Sequence, residues 1–350
     1  MYSRFFSVKR FYFLPFTKVL LLIYHCIVNK MCSYLINIGT IVIQLLLYAF
    51  IIELPFEKKL VFAQQSLHFN ALGYFGGNGN GHGEFTNARA IADDIIGQIY
   101  VVDTGNNRIL KFSSQGTLVQ SLGEIGWGKD QFDHPLDLST SLGLDIYIAD
   151  SYNQRILRYD KDLNYISQFT PDDVHNDAWR FGFPLAIEMS IHGDLFFIDG
   201  ENRRIVRISR LGMPDQIFGG FADTGNLIEE PGKICIGAND LIYILDTKKP
   251  QVVIFDYYGN YVLSFGSDIL KHPLGIAVDR KQRIFVADGE LQQIVIFSSQ
   301  GIPLGNLGPQ IVQLGQSFRE PVDVVAGKKD FLYVLDRAGS RVFIFQETSE

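Results

Sequence analysis

The feature that most constrains the fold is a period. An Asp ends a short β-rich run six times, at Asp103, Asp150, Asp199, Asp246, Asp288 and Asp336, with spacings of 47, 49, 47, 42 and 48 residues. Fifteen residues before each stand Ala88, Pro135, Pro184, Pro231, Pro273 and Pro321. Three residues earlier stand the bulky apolar residues Phe85, Phe132, Phe181, Ile228, Leu270 and Phe318. Nine residues after each Asp stand Phe112, Tyr159, Ile208, Phe255, Phe297 and Phe345. Four landmarks keep their offsets while the connections absorb every change in length, so each copy is one supersecondary unit.

Each unit reads as four strands. A short apolar strand follows the Pro, as in 274–278, and a β-branched and aromatic strand runs into the Asp, as in 99–102 or 242–245. A third strand follows a polar turn, as in 108–112, and a fourth follows a Gly or Asn turn, as in 261–265. Runs of Ile, Val, Tyr and Phe bounded by Gly, Asn and Asp are strand-and-turn grammar. Four strands every roughly 40–50 residues make a propeller blade. The expected fold is therefore all-β, a six-bladed β-propeller of four-stranded blades. The sixth unit stops after its third strand, and residues 67–75 supply a candidate fourth. An N-terminal strand completing the last blade closes the ring and hides the edges that an open sheet leaves bare.

The first 64 residues read as a separate segment, with the propeller over 65–350. Residues 34–52 carry no charge and approach the ~20 apolar residues that span a bilayer as a helix. Arg4, Lys9, Arg10, Lys18 and Lys30 precede this run. The positive-inside bias then keeps that side in the cytoplasm and sends the propeller out. Two readings stay open: an uncleaved signal anchor with an N-terminal hydrophobic helix, or a signal peptide removed after the A-x-A-like Val61-Phe62-Ala63. Either makes the propeller extracytoplasmic, membrane-anchored or secreted.

The turn after the second strand reads D-x-x-N-x-R in the first three units: Asp103, Asn106 and Arg108; Asp150, Asn153 and Arg155; Asp199, Asn202 and Arg204. With the strand before it, this resembles the NHL repeat, and the resemblance covers about residues 66–346. The later units depart from it: Pro250 and Gln251 follow Asp246, Gln293 follows Asp288, and Gly339 takes the Asn place before Arg341. The resemblance implies a six-bladed propeller that recognises partners.

A residue repeated in every blade is scaffold, so the turn Asp and Arg residues are expected to be structural; a single site needs residues particular to one blade. Two places past each Pro stand Ala90, Asp137, Ala186, Lys233, Gly275 and Asp323. Small residues suit a crowded axis, so Asp137, Lys233 and Asp323, with the neighbouring Arg89, are the candidate ligand-binding set at the channel mouth; Glu188 also lies next to this ring. Some NHL propellers resemble lyases that use a channel zinc. On that alternative His82, His134 and His272 are the candidate ligands for calcium or zinc, serving a metal-dependent lyase or hydrolase. The Gly76–Gly83 run has no following helix to present N–H groups to phosphate and reads as a flexible loop.

A net charge of −7 with no basic stripe argues against nucleic acid, whose phosphates demand cationic neutralisation. Three cysteines, two of them in the first 64 residues, leave the propeller without a disulfide framework or a CxxC metal site. The expected function is non-catalytic: a recognition or scaffold propeller that binds a protein, peptide or glycan and needs no cofactor.

Overall fold

The computed structural model describes residues 67–141, 145–220, 228–308 and 310–348. The apolar run at 34–52 and the site after Ala63 lie outside the described residues. Among the described residues no helix is long and apolar enough to cross a membrane.

Six four-stranded antiparallel sheets form the domain. Their first strands are Ala90–Asp93, Pro135–Ser141, Pro184–Met189, Pro231–Ile236, Pro273–Val278 and Pro321–Ala326. Each of these packs on the first strand of the next sheet, and Pro321–Ala326 packs on Ala90–Asp93. The result is a six-bladed β-propeller with the first strands innermost. In five blades the outer strand is the fourth of the unit, for example Leu118–Leu122 or Tyr261–Phe265. In the sixth, the outer place is taken by Phe69–Gly76, which pairs with Arg341–Glu347 from Phe69 opposite Glu347 to Gly76 opposite Arg341.

Blade geometry explains the sequence pattern. The second strand lies between neighbouring blades and is buried on both faces, so Ile99–Asp103, Ile242–Asp246 and Ile284–Asp288 are buried at every residue. Strands covered on both faces read as unbroken apolar runs. The outer strand Leu118–Leu122 alternates between half-buried and exposed residues. Six separate apolar clusters fill the seams between blades. The seam between the sixth and first, for instance, gathers Phe75, Phe85, Val101 and Phe112 with Val322, Leu335 and Val342.

The landmarks are the anchors of these seams: Phe85, Phe132, Tyr159, Phe255 and Phe297 are wholly buried. Each such side chain contributes about 1.5–3 kcal/mol by leaving water. Close approach dictates one glycine on the axis. A Cβ on Gly275 would lie 2.4 Å from the Asp323 Cα and 2.6 Å from the Val322 carbonyl oxygen, so only glycine lets the fifth and sixth inner strands touch.

Candidate functional site

Each blade Pro lies opposite its Asp in the ladder, as Pro135 does Asp150 and Pro184 does Asp199. One face of the propeller therefore carries the Pro ends, the Asp turns and the blade-to-blade connections. The other carries the hairpin turns.

The Asp residues tie the turns to the connections. Each accepts a backbone N–H from the residue seventeen positions earlier: Thr86, Asp133, Gly182, Glu229, Lys271 and Arg319, at 2.7–3.1 Å. In the first three blades the Asn and Arg complete a clamp. Arg155 donates from Nε to Asp150 and from its terminal nitrogens to the carbonyls of Trp127, Gly128 and Gln131. Arg108 likewise holds the carbonyls of Asn80 and Glu84. The 76–83 segment, which reads as flexible in the sequence, is thus pinned; Phe85 N–H also donates to the Gly77 carbonyl. In the fourth blade Asp246 works without an Arg and accepts the N–H groups of Glu229, Glu230, Lys248 and Lys249. Asp246→Ala leaves these donors unpaired, and the expected loss is about 1–3 kcal/mol, read as a lower midpoint in chemical denaturation.

Three of the four candidate ligand-binding residues meet on the axis. Lys233 Nζ lies 2.6 Å from Asp137 Oδ1 and 2.8 Å from Asp323 Oδ2. Asp137 also accepts the Ile187 N–H and Asp323 accepts the Ile91 N–H, each the free edge of the next blade's inner strand. The bridge thus joins blades two, four and six to each other and, through those N–H groups, to blades three and one. Burial raises the pKa of both carboxyls, Asp323 to about 6. Burial pulls Lys233 down, but the two carboxylates outweigh it and hold the ammonium above its ordinary range. The sequence leaves these charges free for a ligand or channel water. The structure answers them internally, because alternate blades bring an acid, a base and an acid to one depth, and Ala90, Ala186 and Gly275 between them leave room for Lys233 to reach both.

Arg89 stands apart from the bridge, exposed on the connection face. Partial burial and the neighbouring Arg337 lower its pKa, against Glu320 and Tyr152, which raise it. The histidines of the metal alternative are not brought together. His134 pairs with Asp133 at 2.7 Å and stacks on Tyr152, while His272 donates its backbone N–H to Asp288. Among the described residues no three His, Cys, Asp or Glu side chains group as a metal site.

Two features come together only in the folded chain. The first is an aromatic row on the connection face. His134 and Tyr152 stack at 4.1 Å, Tyr152 meets Phe183 edge-on at 6.4 Å, and Trp127 lies over the Arg155 guanidinium. Tyr152 is 57% and Trp127 58% exposed. His134 and Phe183 both precede a blade Pro and both have left-handed backbone, with φ of 50° and 47°. Asn87, at the equivalent place in the first blade, shares this backbone with a φ of 50°, so it is a repeated turn geometry in which Phe183 is the sterically unusual occupant. The turn positions that hold Tyr152 and Phe183 vary from blade to blade, so only their shared height on the folded face reveals the row.

The second is a chamber of about 240 Å³ on the hairpin side of the ion bridge. Glu188 and Cys235 line it, with Ser139, Asp93, Ala92, Ala277 and Val325. Burial, then Asp137, pushes the Glu188 carboxyl up to about 8, and burial, then Asp94, pushes Asp93 up to about 7. Glu188 has an ordinary value of 4.5, so between 4.5 and about 8 the folded state keeps a proton that the unfolded state has lost. Raising pH through that window therefore favours unfolding. Glu188→Gln is expected to flatten this decline in melting temperature between pH 5 and pH 8, as followed by circular dichroism.

No family profile matches the chain. Over 131 residues, 37% of this chain, it is 26% identical to Protein brain tumor of Drosophila melanogaster, and that match spans 13% of the relative's length. Among solved structures, a Bacteroides thetaiotaomicron protein of unknown function superposes with a TM-score of 0.64 at 14% identity, covering 81% of this chain and 77% of the other. This domain is an NHL-like six-bladed β-propeller. A Xanthomonas campestris gluconolactonase shares the fold with a TM-score of 0.61 at 13% identity, over 82% of this chain and 92% of its own. A streptogramin B lyase does so with a TM-score of 0.56 at 12% identity, over 82% and 99%. At such identities these structures speak for the fold alone, which hosts enzymes and binding modules alike.

Proposed function

We propose that this NHL-like propeller is a non-catalytic recognition module that grips a protein or peptide on its connection face. The observation that carries the reading is the row of His134, Tyr152 and Phe183, with Trp127 and Arg89 also exposed on that face. Exposed Trp, Tyr and Arg are the side chains that dominate binding energy at protein interfaces, and rings flanking a guanidinium suit an extended polypeptide. A glycan stacked on the same rings is the other ligand class this surface accommodates. In this reading the charges on the axis hold the blades, and specificity resides in the connections of blades one to three.

The uncharged run at 34–52 and the five basic residues before it support display outside the cytoplasmic membrane, with Phe69–Gly76 closing the ring. The test is co-purification of bound material with the full chain and with a Trp127→Ala, Tyr152→Ala double variant. Loss of a protease-sensitive partner at unchanged melting temperature supports the reading. Retention of the partner by the double variant moves the interface elsewhere, and a stoichiometric metal with turnover would replace recognition with catalysis.

A further inference from the structure

The chamber beneath the ion bridge has a chemistry that recognition on the connection face does not use. Its lining brings four carboxyl groups, Asp93, Asp137, Glu188 and Asp323, to a single ammonium, Lys233. Two of the three Lys233 N–H donors are taken by Asp137 and Asp323. Glu188 has no ion-pair partner among the described residues; Ser139 alone hydrogen-bonds it, and that hydroxyl oxygen already accepts the Met189 N–H. A partly buried carboxyl answered by one hydroxyl keeps unused acceptor capacity facing an open volume. The opposite wall is aliphatic, formed by Ala92, Ala277 and Val325, and suits a short hydrocarbon chain.

We propose that the chamber is a binding site for a small alkylammonium ligand, with the Glu188 carboxylate as its counter-ion and the aliphatic wall as the seat of its alkyl group. Size and charge carry the assignment. About 240 Å³ admits an amine of a few carbons and excludes a polypeptide. The excess of carboxyl groups favours a cation even while Glu188 is protonated, since Asp137 and Asp323 together outnumber Lys233. Binding releases the Glu188 proton, so the free chamber exchanges a proton for an ammonium.

The facing titratable groups set the pH dependence. Asp93 is raised to about 7 and Glu188 to about 8, while burial, then Glu188, drives the Cys235 thiol up and keeps it neutral. Affinity should therefore rise about tenfold from pH 7 to pH 9, as Glu188 goes from mostly protonated to mostly ionised.

The experiment is calorimetric titration of the full-length protein in detergent with n-propylammonium, with n-propanol as the uncharged control. Expected are binding of the amine without binding of the alcohol, the tenfold rise with pH, and at least tenfold weaker binding to Glu188→Gln, whose remaining rise with pH, set by Asp93, is at most about twofold. Ala92→Leu, which fills the far side of the chamber and leaves every carboxyl in place, should also abolish binding and keeps the test decisive if Glu188→Gln does not fold. Equal binding of amine and alcohol, undiminished binding to either variant, or displacement of the amine by equimolar calcium would overturn the assignment.

Discussion

Replacing Lys233 with Met is expected to cost about 3–5 kcal/mol, the range for a buried ion pair that loses one partner. The Asp137 and Asp323 side chains are each 2% exposed, and without the ammonium two carboxylates face each other across the axis. One must take up a proton or the inner strands must part. Neutralising all three residues together, as Asp137→Asn, Lys233→Met and Asp323→Asn, should recover most of the loss. An Asn oxygen can still accept the Ile187 and Ile91 N–H groups, and no uncompensated charge remains. Denaturant midpoints for the single and triple variants, at unchanged slope, measure the difference. A single variant as stable as the parent would mean that water, rather than Lys233, serves these carboxylates.

Deleting residues 65–76 should have a larger effect still. The deletion removes the whole outer strand of the sixth blade and bares the edge of Arg341–Glu347. It also takes Phe75 out of the seam between the sixth and first blades, where its ring lies 4.7 Å from that of Phe112. Truncating one buried Phe costs about 3–5 kcal/mol, and the lost ladder adds to this. The sum is comparable with the whole net stability of a typical domain, about 5–15 kcal/mol. Fragment 77–350 is expected to lose its cooperative thermal transition and to associate through its open edge, whereas fragment 65–350 melts in one step. Equal melting of the two fragments would show that the sixth blade is stable with three strands.

The period made the blades legible because it reflects a repeated burial requirement. Phe132 and Phe297 recur at fixed offsets since each fills an equivalent seam, and Asp150 recurs since each turn needs an acceptor for the same backbone N–H. The ion bridge was only half legible. Sequence offsets place Asp137, Lys233 and Asp323 at one depth, but whether Lys233 reaches both acids depends on the width of the channel, which the small residues at 90, 186 and 275 set. The offsets place Glu188 beside that ring, two residues beyond it, but its environment is made by three different blades, so its raised pKa is not legible in any local pattern. The aromatic row escaped for a similar reason: His134, Tyr152 and Phe183 come from two blades and two kinds of turn. His134 reads in the sequence as a candidate metal ligand, and in the folded chain its ring stacks on Tyr152 and pairs with Asp133.

Recognition on the connection face is tested most directly by placing a photo-crosslinking amino acid, one position at a time, at Tyr152 and at Tyr258 in the full-length protein expressed in cells. Both side chains are well exposed, at 57% and 73%, but Tyr152 belongs to the connection face and Tyr258 to a hairpin turn on the other. The expected result is one discrete protease-sensitive adduct from position 152, lost when Phe183 and Trp127 are changed to Ala, and none from position 258. An adduct formed from position 258 and not from 152 would contradict it.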